Sequence, residues 1–305
     1  MDQNLYYSFV DLANGLLAGT MLGGFYAMVS IGLALNFGVM RLVNLAHGDW
    51  LIVAAYFGAS VATRISISPA LLFIPIVPFM FVIGYVLQRT LLTRVSVQAM
   101  EKRGMSANFG LMSPLLVTFG MSIVLERSLL GIFDSDAKSI PNNWSFDAIA
   151  LGPDLNVSVL KLTFLCVAVL ILFLMRLFLS RTHTGRAIRA ASDDSEIAPL
   201  MGVKTAHVYA VASGISLAIA GIAGLMIGMS RTFQPFDGPQ FLLIAFGVVI
   251  IGGLGSMVGS MVGGILLGIV QVLAGTWFGP SAEVIAGNVL ILLVLAFRPR
   301  GLFSR

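Results

Sequence analysis

VLKLTFLCVAVLILFLMRLFL (Val159–Leu179), then SRTHTGRAIRAASDDSEIAPLMGVKTAH (Ser180–His207), then VYAVASGISLAIAGIAGLMIGMS (Val208–Ser230): this passage decides the class of fold. Each outer run exceeds the roughly 18 apolar residues that a membrane-spanning helix needs. The middle gathers Arg181, Arg186, Arg189, Asp193, Asp194, Glu196 and Lys204 in a chain of which only 10% is charged. Its order predicts short helices. Thr184-Gly185 can open a turn, Arg186 to Ala191 favours helix, and Ser192 or Asp193 can cap a second short helix with Glu196 on its first turn. Pro199 fits that helix awkwardly and marks a bend, and Gly202 ends it before Lys204. On composition alone, a solvated basic loop that sets topology is at least as good a reading as a docking element.

The same character extends outward. Of 305 residues, 58% are hydrophobic and 33 are glycine. Mean hydropathy is +0.96. No soluble domain of this size can hide so much apolar side chain. The fold class is an all-α polytopic membrane protein with roughly eight to ten transmembrane helices, including broken or re-entrant segments. The chain reads as one transmembrane domain over residues 1–305. The net charge of +4 comes from basic residues in the short segments beside spans, which points to membrane topology and not to nucleic acid. Cys166, the only cysteine, allows no intrachain disulfide. Asp2 and Asp11 stand where a signal peptide would be basic.

Spans are expected at about Leu12–Leu35, Trp50–Ala62, Ala70–Leu92, Met112–Ile132, Val159–Leu179, Val208–Ser230, Phe241–Ile251, Met257–Ala274 and Val284–Phe297. In the first, Gly15, Gly19 and Gly23 recur every four residues, a small-residue face for close packing. It should stop at Asn36-Phe37-Gly38. A polar segment then precedes a run too short to cross unless Leu42 to His47 is helical too, so a broken or re-entrant helix is expected there. Pro75 and Pro78 should kink the third span. A second interruption, Gly252-Gly253-Leu254-Gly255, faintly resembles a dinucleotide fingerprint, but it lacks the spacing and lies between hydrophobic helices, so packing is the better reading.

Loop charges give an orientation. Arg89 to Arg103, Arg181 to Lys204 and Arg298 to Arg305 hold most of the Lys and Arg and fall on one side, which should be the cytoplasm together with the C-terminus. The long loop Phe133 to Ser158 carries Asp134, Asp136, Asp147 and Asp154 against Lys138, with Trp144, Pro141 and Pro153. It should be ordered and external.

Ionisable groups within spans are functional suspects. Asn36, Asn44, His47 and Asp49 surround the first break and are candidates for the translocation pathway, with backbone satisfaction and helix packing the competing reading. Glu126-Arg127 are adjacent and so should not form a face-to-face ion pair. Glu283 reads as a helix cap. No Walker A loop, metal-ligand spacing among the three histidines, or nucleophile–base set is present in the sequence, so no catalytic, cofactor or metal site is expected. A passive channel would also suit glycine-rich broken helices, but a channel needs no charged helical element on its cytoplasmic face.

At this point several ordered segments resemble one family. NFGVMRLVNLAHGDWLIVAAYFG (Asn36–Gly58), SRTHTGRAIRAASDDSEIAPLMGV (Ser180–Val203), IGGLGSMVGSMVGGILLGIVQ (Ile251–Gln271) and FRPRGLF (Phe297–Phe303) are similar to permeases of branched-chain amino acid ABC importers. The resemblance covers nearly the whole chain. It implies an ATPase-coupling loop at about 180–207, with the family's Glu-Ala-Ala-x-x-x-Gly core falling on Glu196-Ile197-Ala198-Pro199-Leu200-Met201-Gly202. Ile197 replaces the middle alanine, and Pro199 is added. The coupling residues so implied are Gly185, Arg186, Arg189, Asp193, Asp194, Glu196, Ala198 and Gly202. The implied partners are two cytoplasmic ATPases, a second permease (homologous or identical), a soluble substrate-binding protein and membrane lipid. The implied cargo is branched-chain or other small amphipathic amino acids, with urea, amides or other small organic solutes as the alternative.

Overall fold

A computed structural model describes residues 3–65, 68–95, 108–142, 148–150, 156–194 and 197–303. Lys102, Arg103, Trp144, Asp147, Pro153, Asp154 and Glu196, singled out from the sequence, lie outside the described residues. The helices are α1 (Gln3–Met40), α2 (His47–Ile65), α3 (Phe73–Leu87), α4 (Asn108–Phe133), α5 (Val159–Arg181), α6 (His183–Asp193), α7 (Thr205–Ser230), α8 (Gly238–Gly252), α9 (Met257–Phe278) and α10 (Ser281–Phe297). Strands β1 (Ala148–Ala150) and β2 (Asn156–Ser158) pair antiparallel in the acidic loop. Among the described residues, seven helical segments are long and apolar enough to cross a membrane. With the shorter or less apolar α2 and α10 they make nine, within the expected range.

One boundary differs from expectation, the end of α1, while the third span falls close to where it was expected. α1 runs straight through Asn36-Phe37-Gly38 and ends at Arg41, whose φ of 53° turns the chain left-handed. The polar residues did not stop it because helical backbone satisfies itself, while Asn36 is buried by its neighbours. α3 is flanked by a 3-10 turn (Pro69–Leu72) and a π turn (Gln88–Leu92), with Pro78 inside the helix. Pro75 falls in the first turn of α3, where its missing N–H costs little.

The chain divides into two compact units. The first comprises residues 1–31, 142–172 and 244–305. Here the predicted glycine face of α1 meets a glycine face of α9. A Cβ at Gly19 would lie 2.6 Å from Ile269 Cα, and one at Gly264 would lie 2.6 Å from Ala27 N. Only hydrogen fits at such spacing, so the two backbones touch along this seam. Beside it, the Tyr26 hydroxyl donates to Gln271 Oε1 at 2.7 Å. Gly259 of α9 turns to Gly252 of α8, which makes the GGLGSMVG run a packing device. Glu283 is in the first turn of α10, whose cap is Pro280, and its carboxylate lies over Gly275. The C-terminal residues fold back, with Leu302 N–H donating to the Ile251 carbonyl at 2.9 Å.

The second unit comprises residues 32–141 and 173–243. α7 is its axis: it is buried along most of its length, whereas α4 is largely exposed. α3 runs antiparallel to α7, with Gly84 opposite Ser213 and Gly214, and Met80 opposite Gly221. α2 runs in the same direction as α7, with Leu51 and Ala54 on Gly224 and Gly58 on Leu225. The segment after α4 is pinned to this unit. Ile140 N–H donates to the Gly228 carbonyl at 2.7 Å, and Lys138 pairs with Phe233 through two backbone hydrogen bonds. The Lys138 ammonium lies 4.5 Å from the Phe133 ring centroid. A cation–π contact at a half-exposed site of this kind contributes about 0.5–1 kcal/mol.

Candidate functional site

Two features of the second unit carry the candidate chemistry. The first is the break between α1 and α2. After Arg41 the chain makes no helix until Asn44 nucleates one. The Asn44 side-chain oxygen accepts from Ala46 N–H at 3.0 Å, and its carbonyl accepts from His47 N–H at 3.2 Å. This is helix capping, and it explains why α2 starts there. The start lies deep beside α7. Ser216, the twelfth of 26 residues in α7 (Thr205 being the first), donates from its hydroxyl to the Gly32 carbonyl at 2.7 Å. A Cβ at Gly32 would be 3.2 Å from His47 Cε1. α2 therefore begins about half-way along α7.

α8 begins at the same place. Its first residue, Gly238, lies directly against Gly48, and the Asp49 carboxylate covers the Gly238 Cα. The N-termini of α2 and α8 thus converge on one carboxylate. Asp49 is in the first turn of α2, where a negative charge favours the helix dipole, and α8 presents a second positive end to it. Ser122 of α4 hydrogen-bonds the Asp49 side chain. The 3-10 turn Pro235–Asp237 that leads into α8 has its own cap: Gln234 N–H donates to Asp237 Oδ2 at 2.8 Å within a capping box.

Asn36, Asn44, His47 and Asp49 are all buried in this unit. Asn44 is committed to the cap, and Asp49 to the two helix starts. Asn36 Oδ1, Asp49 Oδ1 and Trp50 Nε1 are buried without a protein hydrogen-bond partner among the described residues. Such atoms are expensive in an apolar medium and are tolerated there only where surrounding protein or a water-filled cavity compensates them. Ser122 was not foreseen, because a lone serine in an apolar helix carries no local signal. Glu126 and Arg127 do approach, at 3.8 Å, although they are adjacent. Both side chains are long enough to bend toward each other, and the Arg127 side chain is largely exposed.

The second feature is the charged loop. Thr182 caps α6 by accepting from Gly185 N–H at 2.9 Å. Gly185 then rests on the Phe178 carbonyl and Leu179 at the end of α5, so it serves α6's own seating. Ile188 and Ala191 are buried and seat the helix. Arg186, Arg189, Asp193 and Asp194 point outward. The N-cap of the next turn is Ile197, with no side-chain capping bond, and neither Ser192 nor Asp193 caps it. The Asp194 side chain instead braces the approach to the turn: its carboxylate accepts from Ile197 N–H at 3.0 Å. That turn, Ala198–Met201, is a single 3-10 turn with Pro199 in its first positions, closed by Gly202 at φ 83°. Ala198 is buried, so it packs inward. Ile197, Leu200 and Met201 are 54%, 83% and 80% exposed. The loop therefore displays an apolar knob ringed by charges. Ser192 is engaged elsewhere: its hydroxyl donates to the Gly38 carbonyl at 2.5 Å, joining α6 to the last turn of α1.

A family model described as the branched-chain amino acid transport system / permease component matches residues 15–297. The chain belongs to this permease family. The permease is 28% identical over 308 residues to the high-affinity branched-chain amino acid transport system permease protein BraD of Pseudomonas aeruginosa, covering 99% of this chain and 97% of that one. It is 26% identical over 318 residues to LivH, the permease of that name from Salmonella typhimurium, covering 100% of this chain and 98% of the relative. A similar probable branched-chain permease of Methanocaldococcus jannaschii is 26% identical and matches 88% of this chain and 84% of its own length. No solved structure matches. With seven apolar helices of spanning length among its described residues, the permease is a multi-pass membrane protein.

Proposed function

We infer that this permease is the membrane subunit of an ATP-binding-cassette importer for branched-chain or other small amphipathic amino acids. It sits in the inner membrane with its C-terminus in the cytoplasm. ATP is hydrolysed by two separate cytoplasmic subunits, and a soluble binding protein brings the amino acid to the opposite face. A second permease, homologous or identical, completes the pathway. The likeness to BraD and LivH over nearly the full length supports the cargo. The observation that carries the coupling role is the knob Ile197-Leu200-Met201, exposed on a loop otherwise rich in charge. A topogenic loop has no reason to order such residues and hold them out in water. An ATPase groove gives them cover, while Arg186, Arg189, Asp193 and Asp194 orient the partner at the rim.

The polar break lies along the route of the solute in this reading. Asn36, Asp49 and Trp50 offer it buried polar atoms, and Asn44 and Asp49 hold the two helix starts in place. The test is purification of the full complex from native membranes, followed by reconstitution. Two ATPase subunits should co-purify, and vesicles supplied with binding protein should accumulate leucine, isoleucine or valine only with ATP. Accumulation of urea or amides in place of amino acids would replace the cargo. Solute flux without ATP or any ATPase subunit would make the protein a channel.

A further inference from the structure

We propose that Ser192 is a positioning residue for coupling: its hydrogen bond to Gly38 carries movement of the docking loop to the helix break. This rests on the docking reading above. The geometry is specific. α6 is held at its beginning by Gly185 on the end of α5, along its length by Ile188 and Ala191, and at its end by Ser192 on α1. The knob is tied to that end, since the Asp194 carboxylate accepts from Ile197 N–H. A push on the knob therefore reaches Ser192 within a few residues.

Gly38 is three residues before Arg41, where the left-handed turn ends α1. From Arg41 to Ala46 the backbone is not helical, so the segment can flex while α1 and α2 stay rigid. It contains Asn44, and beyond it lie His47 and Asp49. The covalent route from the loop leads only into α5 and α7. The Ser192 hydrogen bond adds a route into the α1–α2 break, which no covalent connection from the loop supplies. Its hydroxyl is half-buried, and its acceptor is a carbonyl near the end of a helix, where carbonyls lack intrahelical partners. Loss of such a bond shifts a two-state element by roughly fivefold.

The experiment uses the complete complex in vesicles, comparing wild type with Ser192→Ala and Ser192→Thr. Four quantities are read: ATPase co-purification, binding-protein-stimulated ATP hydrolysis, leucine uptake, and maleimide labelling of Leu42→Cys in a Cys166→Ala background with and without ATP. Ser192→Ala should keep the ATPases and the hydrolysis, transport about fivefold less leucine per ATP, and lose the ATP-dependent change in labelling at position 42. Ser192→Thr keeps a hydroxyl and should restore both. An unchanged ratio of uptake to hydrolysis in Ser192→Ala, or uptake and hydrolysis falling together, would overturn the proposal. If wild type itself brings down no ATPase, the docking reading fails first, and this inference with it.

Discussion

Gly48→Ala puts one methyl group between the starts of α2 and α8. The added Cβ would meet the Gly238 carbonyl oxygen, with Gly238 C and Leu242 N each at 2.9 Å. All three are backbone atoms, so no rotamer change can clear them. Ordinary contact begins near 3.4 Å, and the two helix starts must therefore separate by half an ångström or more. Overpacking a closed site in this way costs about 1–3 kcal/mol. Gly238→Ala meets the Asp49 carboxylate and its Cα and should cost about as much. α4 supplies the control. Cβ atoms at Gly120 and Gly131 would have nothing within 4 Å. Those alanines should be neutral or stabilising by up to about 1 kcal/mol, because alanine is the better helix former. Unfolding in mixed micelles by titrated dodecyl sulfate reads these differences, with uptake measured in parallel. Equal stability for Gly48→Ala and Gly120→Ala would show that α2 and α8 do not meet backbone to backbone, and the convergence on Asp49 would be withdrawn.

Other outcomes follow from the same structure. In a Cys166→Ala background, an impermeant maleimide applied outside should label Asn142→Cys and miss Arg189→Cys; the reverse pattern would invert the topology. Asp49→Asn, with Asn44→Ala beside it, should lower uptake more than tenfold if the break serves the pathway and fixes both helix starts; unchanged uptake at unchanged protein level would remove these residues from transport. Gly202→Ala forces a side chain into left-handed backbone at a cost of about 1 kcal/mol. It has open space around it, so the permease should still insert at wild-type level while ATP-coupled uptake falls about fivefold; unaltered coupling would show that the turn's shape does not matter.

The apolar runs made the membrane fold legible, and the four-residue glycine period predicted the face by which α1 packs on α9. Both are local patterns. The break was also legible, but its position was not: Asn36 and Gly38 look like helix breakers, yet a buried helix continues past them because nothing else there can satisfy its backbone. The convergence of α2 and α8 could not be read, since Gly48 and Gly238 are far apart in sequence and meet only in the fold. Ser122 on Asp49 and Ser192 on Gly38 escaped for the same reason. In the charged loop, the residue types named the region, while three-dimensional packing sorted them. Gly185 and Ala198 face inward, and Leu200 and Met201, unremarkable in sequence, are the residues displayed.

The central claim is that the knob of the charged loop is where ATP-driven work enters the permease. Leu200→Asp combined with Met201→Asp places two charges on that knob without touching the buried seat of α6. In vesicles containing the whole complex, the variant permease should insert at wild-type level, lose bound ATPase on purification, and show ATP-dependent leucine uptake reduced at least tenfold. The rim change Arg189→Gln should reduce it far less. Wild-type ATPase retention and wild-type uptake in the double variant would contradict the account and leave Ser180 to His207 as a loop that only sets topology.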